Sequence, residues 1–226
     1  MSNQALALAE TELPAHLKKS EGMGRGNEHV GAHLAIPRVK LLQKMSDEVD
    51  KHSPGYIKGA EAGDFINTLT NKVYGEEMYV LSITFKNEFV VWRKREAGAG
   101  LLGNYASHAE AQQAIDATDK PEDYDLVETH THLLLIKDPE TGDLEASPAI
   151  MDFASSKLRI SRNWNSQIGM KGGDRFAGLW KLKSQAVENR MGNAFMNLDV
   201  EFVGWAQEDD YKVAEKIYDS HSPSKQ

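Results

Sequence analysis

Residues 176–202 read FAGLWKLKSQAVENRMGNAFMNLDVEF, and two alternations run through them. Phe176–Val187 sets Trp180 and Leu182 on one face and Lys181 and Lys183 on the other. Ala194–Phe202 turns Met196, Leu198, Val200 and Phe202 inward and Asn197, Asp199 and Glu201 outward. A period of two marks half-buried strands. Asn189-Arg190-Met191-Gly192-Asn193 between them has the composition of a hairpin loop.

Upstream of this hairpin, Ser155 or Ser156 caps a predicted helix over 157–168, and Gly169 suits its end. Ile160, Trp164 and Ile168 make one apolar stripe on it, with Arg159 and Arg162 on the opposite side. Thr129–Ile136 and Ser147–Ala154 read as paired strands around the turn Asp138-Pro139-Glu140-Thr141-Gly142-Asp143. Met78–Phe85 alternates with Tyr79, Leu81, Ile83 and Phe85 inward. A turn at Lys86-Asn87 then leads into Glu88–Arg95 as a second hairpin. Ala106–Ala117 has helix composition. Gly63–Leu69 reads as a short strand; in Ile36–Leu42 alternation puts Arg38 and Lys40 on one face and Val39 and Leu41 on the other, which favours a strand over the alternative of a helix starting with Pro37 at its first position. About eight short strands, mostly hairpin-linked, predict a mostly β (α+β) fold, a small antiparallel barrel or sandwich with an inserted helix. The expected layout is a flexible arm over 1–35, the barrel over 36–206 and an acidic helix or tail over 207–226.

The 226 residues are 40% hydrophobic and 27% charged, which is globular composition. The absence of cysteine excludes disulfide scaffolds, thiolate zinc sites and cysteine nucleophiles. No apolar run reaches the roughly 18 residues that span a bilayer, and the N-terminus lacks the pattern of a secretory signal. The expectation is a cytoplasmic protein with no membrane partner.

The net charge of −8 hides a partition. Residues 78–95 carry Lys86, Arg93, Lys94 and Arg95 against Glu88 alone. Residues 96–156 hold only Lys120 and Lys137 among thirteen acids, a net of −11. Residues 157–190 swing to +6 through Lys157, Arg159, Arg162, Lys171, Arg175, Lys181, Lys183 and Arg190 against Asp174 and Glu188. Two concentrated basic islands in an acidic chain point to an anionic partner.

Catalytic signatures are lacking. Gly22-Met23-Gly24-Arg25-Gly26 has neither a strand before it nor an apolar helix after it, so it is not a nucleotide loop. Asp143-Leu144-Glu145 lacks the following lysine of a nuclease site. Glu128, His130 and His132 share a strand face and read as a solvent-facing row rather than a metal trio. The expectation is a non-enzyme with no metal and no cofactor.

Both basic islands interleave cations with rings: Phe89 and Trp92 with Arg93, Lys94 and Arg95; Trp164, Phe176 and Trp180 with Arg159, Arg162, Lys171, Arg175, Lys181 and Lys183. Single-stranded nucleic acid needs this mixture, because cations track phosphates while rings stack on bases. Trp164 and Trp180 fall on apolar faces and read as core. Trp92 shares its alternation with Lys94 and is the ring expected to stack. Arg38 and Lys40 extend the expected groove.

Ile36-Pro37-Arg38-Val39-Lys40-Leu41-Leu42-Gln43 and Gly63-Asp64-Phe65-Ile66-Asn67-Thr68-Leu69 resemble segments of small tailed-phage proteins. Trp164-Asn165, Asp174-Arg175-Phe176-Ala177-Gly178-Leu179-Trp180 and Val200-Glu201-Phe202-Val203-Gly204-Trp205 extend the likeness, which runs from about Ile36 to Trp205. In size and layout the chain is similar to phage single-stranded DNA-binding proteins. That resemblance implies an OB-type barrel and a sequence-tolerant role in DNA replication or recombination, with replication or recombination proteins as further partners and homo-oligomers a feature of such systems. It departs from them at Ser222-Pro223-Ser224-Lys225-Gln226, which is not an acidic tail closed by an aromatic residue. Two alternatives stay open: a single-strand annealing recombination factor, and an acidic adaptor or inhibitor that binds a host protein.

Overall fold

A computed structural model describes residues 36–221. Its strands are β1 (Arg38–Leu41), β2 (Phe65–Asn67), β3 (Val73–Gly75), β4 (Glu77–Arg93), β5 (Gly100–Tyr105), β6 (Tyr124–Lys137), β7 (Ala149–Ala154), β8 (Gly178–Glu188) and β9 (Ala194–Trp205). The helices are α1 (His108–Asp116), α2 (Leu158–Lys171) and α3 (Glu208–His221). The arm expected over residues 1–35, with the Gly22–Gly26 run, lies outside the described residues, as do residues 222–226.

One sheet runs in the order β3-β2-β1-β7-β6-β4-β8-β9, with β5 added to β4. It curls into a half-barrel, so the mostly β expectation holds. The sheet is mixed, however: β1 pairs with β7 in parallel, Arg38 opposite Ile150 and Val39 opposite Met151. No helix among the described residues is long and apolar enough to cross a membrane.

The hairpin expected within 78–95 is one continuous strand. Lys86 and Asn87 do not turn; they sit opposite Thr131 and His130 in the long β4–β6 ladder. A bulge between Ser82 and Thr84 shifts the register there. Met78 and Val80 enter the main core, while Leu81 and Ile83 enter a second core on the other face. Both faces of β4 are therefore buried, and Tyr79 is only half-buried. The strands β3 and β5 went unread because each is short and carries glycine in place of a continuous apolar alternation.

The main core lies between the curled sheet and α2. Trp164 and Ile168 project from the predicted stripe, and the Trp164 ring meets Trp180 edge-on at 6.0 Å. The helix continues past Gly169 to Lys171 and stops at Gly172, whose φ of 73° suits glycine. Neither serine caps it; Ser155–Lys157 is a 3-10 turn leading into the helix. On the opposite face α3 lays Ala214, Tyr211 and Ile217 over Leu81, Ile83, Leu133 and Leu135. An Asp210–Lys137 ion pair fixes its first turn. At the far end of the β4–β6 ribbon, α1 buries Ala111 and Ile115 against Val91.

β9 pairs only with β8 in this sheet, and its other edge is covered by side chains. The Gln43 amide brackets Met196, its Nε2 donating to the Met196 carbonyl and its Oε1 accepting from the Met196 N–H, both at 2.9 Å. Leu198 N–H donates to Asn197 Oδ1 at 3.0 Å, and Val200 N–H to Asp199 Oδ1 at 2.9 Å. Asn197, expected outward, is buried at 8% exposure and accepts this bond. Alternate backbone donors that would recruit a further strand are thus occupied.

Candidate nucleic-acid interface

The twelve residues expected to contact DNA do not form one groove. Alternation along β4, β6 and β7 puts Trp92, Val90, Thr129, Thr131 and Asp152 on the face opposite α1 and α2. The parallel β1–β7 register adds Arg38 to that face. There Arg38 and Trp92 line one cleft of about 410 Å³ with Leu101, Asn104, Thr129 and Thr131. The indole is 47% exposed and Leu101 beside it 56%, an accessible apolar surface ringed by hydroxyl and amide groups. Arg93, Lys94 and Arg95 follow directly at the end of β4.

Most of the candidate cations are paired. Arg38 meets Asp152, Lys40 meets Glu48 at 2.8 Å, and Arg93 reaches Asp123 at 4.0 Å. Lys94 lies 3.8 Å from Asp125, Lys181 2.8 Å from Glu201 and Lys183 3.0 Å from Glu77. These are exposed or half-exposed pairs, each worth about 0–1 kcal/mol, so a polyanion can displace the carboxylates. Lys171 stands 3.6 Å over the Phe202 ring. Arg175 is built into the structure: its Nη1 donates to Ser82 Oγ at 3.0 Å and its Nη2 to Asn165 Oδ1 at 2.7 Å. Burial holds its pKa below the usual guanidinium value. Arg159 and Arg162 line a separate cleft of about 620 Å³ between α2 and the β8–β9 hairpin. Among the described residues Arg95, Arg159, Lys171 and Arg175 are the candidate cations with no carboxylate partner.

Thr129, Thr131, Asn104 and Asp152 were missed from sequence. The threonines carried a usable signal, since they alternate with His130 and His132 and must face the other way. Asn104 belongs to β5, which sequence alone did not reveal.

The histidine row faces inward, not to solvent. His130 is 4% exposed and His132 0%. Both rings turn to α2, where the Ser161 hydroxyl lies 2.8 Å from His130 Nδ1 and 2.7 Å from His132 Nε2. His132 also stacks on Trp164, ring centroids 4.6 Å apart. Glu128 Oε1 is 3.5 Å from His130 Nε2, and Arg162 Nη2 donates to both Glu128 oxygens at 3.0 and 3.1 Å. The donors order themselves from this geometry. A carboxylate at Nε2 favours a proton there, so His130 Nδ1 accepts from Ser161. Ser161 has one proton to give and must accept from His132 Nε2–H. His132 Nδ1, buried without a partner, is then an unprotonated acceptor, a smaller loss than an orphaned N–H.

Burial lowers the pKa of both imidazoles, His132 the more strongly. The folded state therefore binds fewer protons than the unfolded chain below the ordinary imidazole value of 6.5. Stability is full above that pH and falls as the pH drops through and below it. The urea midpoint is expected to fall between pH 7.5 and 5.5, by on the order of 1–2 kcal/mol of stability. An unchanged midpoint across that interval would contradict the buried arrangement.

No curated protein and no solved structure matches the chain. A family model described as Pam3 phage gp34-like protein matches residues 4–225, nearly the full length, and the chain belongs to that phage protein family.

Proposed function

We propose that the protein binds single-stranded DNA without acting on it chemically, in phage DNA replication or recombination. The observation that carries this reading is the half-exposed Trp92 in a cleft with Arg38, next to Arg93, Lys94 and Arg95. A base stacks on the indole while the cations meet flanking phosphates, and Asn104 and the threonine hydroxyls satisfy base edges. Arg159 and Arg162 on α2 supply a second cationic contact. In this reading the curled sheet serves as the OB-type scaffold that the resemblance implies.

The test is fluorescence anisotropy with labelled single- and double-stranded oligonucleotides between about 50 and 300 mM salt. Single strands are expected to bind and duplexes not, with log affinity falling against log salt at a slope of about −2 to −4, since each phosphate engaged contributes about −0.7. Titrating a complementary strand separates coating from annealing. Absence of binding at the lowest salt would sink the DNA reading. The pairing of seven candidate cations by carboxylates leaves less free positive charge for DNA, which keeps a second reading open, an adaptor that binds a host protein. That protein would bind equally well after Trp92 is removed from the cleft.

A further inference from the structure

Arg162 is both a candidate phosphate contact and the cation that holds Glu128. Its side chain is 58% exposed, and it spends a single nitrogen on both carboxylate oxygens. An incoming phosphate competes for that nitrogen from the solvent side. Glu128, 31% exposed, then keeps one neighbour of opposite potential charge, the His130 ring 3.5 Å away.

We propose that Arg162, Glu128 and His130 couple anion binding on α2 to the uptake of one proton by His130. The coupling rests on the single-stranded DNA reading for the identity of the anion, a backbone phosphate. At rest Arg162 balances Glu128, and His130 is neutral. When a phosphate takes Arg162, the carboxylate is left without its counter-charge. A proton from solvent on His130 Nδ1 restores the balance, because the new imidazolium faces Glu128 through its existing Nε2–H. Charges then pair as phosphate with Arg162 and Glu128 with His130.

The change is relayed inward through the Ser161 hydroxyl and one proton shift on His132, from Nε2 to Nδ1, so that the net gain is the single proton on His130. His130 Nδ1–H now donates to Ser161, whose hydroxyl turns to donate to His132 Nε2. His132 adopts its other neutral tautomer, placing its proton on the partnerless Nδ1. That orphaned donor opposes protonation, so His130 stays neutral until Glu128 is released. The groups around the ring fit this account. From β6 it meets Glu128 and His132, and from α2 Arg162 and Ser161. β4 presents the uncharged Phe85 and Asn87, and β7 the uncharged Phe153. Arg162 depresses the His130 pKa and Glu128 raises it, the two influences that phosphate binding would alter. Linkage is reciprocal: if the anion tightens the proton, the proton tightens the anion by the same factor.

The first experiment needs no DNA. The imidazole carbon signals of His130 are followed by NMR against pH in the wild-type protein and in Arg162→Gln. The variant is expected to raise the His130 midpoint by about one pH unit, a tenfold gain in proton affinity. An unmoved midpoint overturns the coupling, whatever the protein binds. The second measurement compares oligonucleotide affinity at pH 6 and pH 8 at fixed salt. The wild type is expected to bind about 3- to 10-fold tighter at pH 6, and Glu128→Gln to lose that difference. Binding with the same pH response in both proteins overturns the coupling and leaves the DNA reading standing. A raised midpoint in Arg162→Gln with no oligonucleotide bound at either pH refutes the DNA reading and supports the coupled pair. Inorganic phosphate titrated against the His130 signal then serves as the anion.

Discussion

Trp164→Ala is expected to lower the free energy of unfolding by about 3–5 kcal/mol, the usual cost of removing a large aromatic from a packed core. The ring is fully buried on α2, stacks on His132, meets Trp180 edge-on and lies 6.0 Å from Phe153. Its loss opens a cavity where helix and sheet meet, and it removes the plate against which His132 is held. The neighbouring imidazole then has room to tilt away from Ser161, so the hydrogen-bonded chain across α2 weakens as well. Urea unfolding followed by far-UV circular dichroism measures the loss. A decrease below about 1 kcal/mol would mean that α2 is not docked through this ring.

Trp92→Ala is expected to behave in the opposite way. Being 47% exposed at the mouth of a cleft, the residue contributes little to folding, and stability should stay within about 0.5 kcal/mol of wild type. Affinity for single-stranded oligonucleotides should fall by about 1–3 kcal/mol, roughly 5- to 150-fold, if one base stacks there. The salt slope should not change, because an indole releases no counterions. Replacing Arg93 and Arg95 by glutamine gives the complementary signature: weaker binding with a shallower slope. Unaltered affinity in Trp92→Ala would remove the cleft from the interface.

The parts of the fold written in local alternation were legible. The strands β8 and β9, the two faces of β1 and the α2 stripe of Trp164 and Ile168 all follow from spacing, because one buried face leaves a periodic trace. The unbroken length of β4 was not, since it is buried on both faces and a ladder partner more than forty residues away overrides a local turn signal at Lys86-Asn87. Charge was legible in amount but not in arrangement. The acidic stretch 96–156 is not a separate negative face; its Asp123, Asp125, Glu128 and Asp152 are the partners of Arg93, Lys94, Arg162 and Arg38. Strand pairing interleaves segments that are electrically distinct along the chain. The histidines read as solvent-facing for a related reason: Ser161, some thirty residues on, is what makes two neighbouring imidazoles tolerable indoors.

The Gln43 bracket on Met196 bears on how the molecule behaves in company. A strand twelve residues long with bare donors is an adhesive margin for other chains, and here that margin is hemmed by a glutamine, an asparagine and an aspartate. Such residues add little to the folding equilibrium, and replacing them would be expected to show first in how concentrated a solution can become before copies associate along this edge.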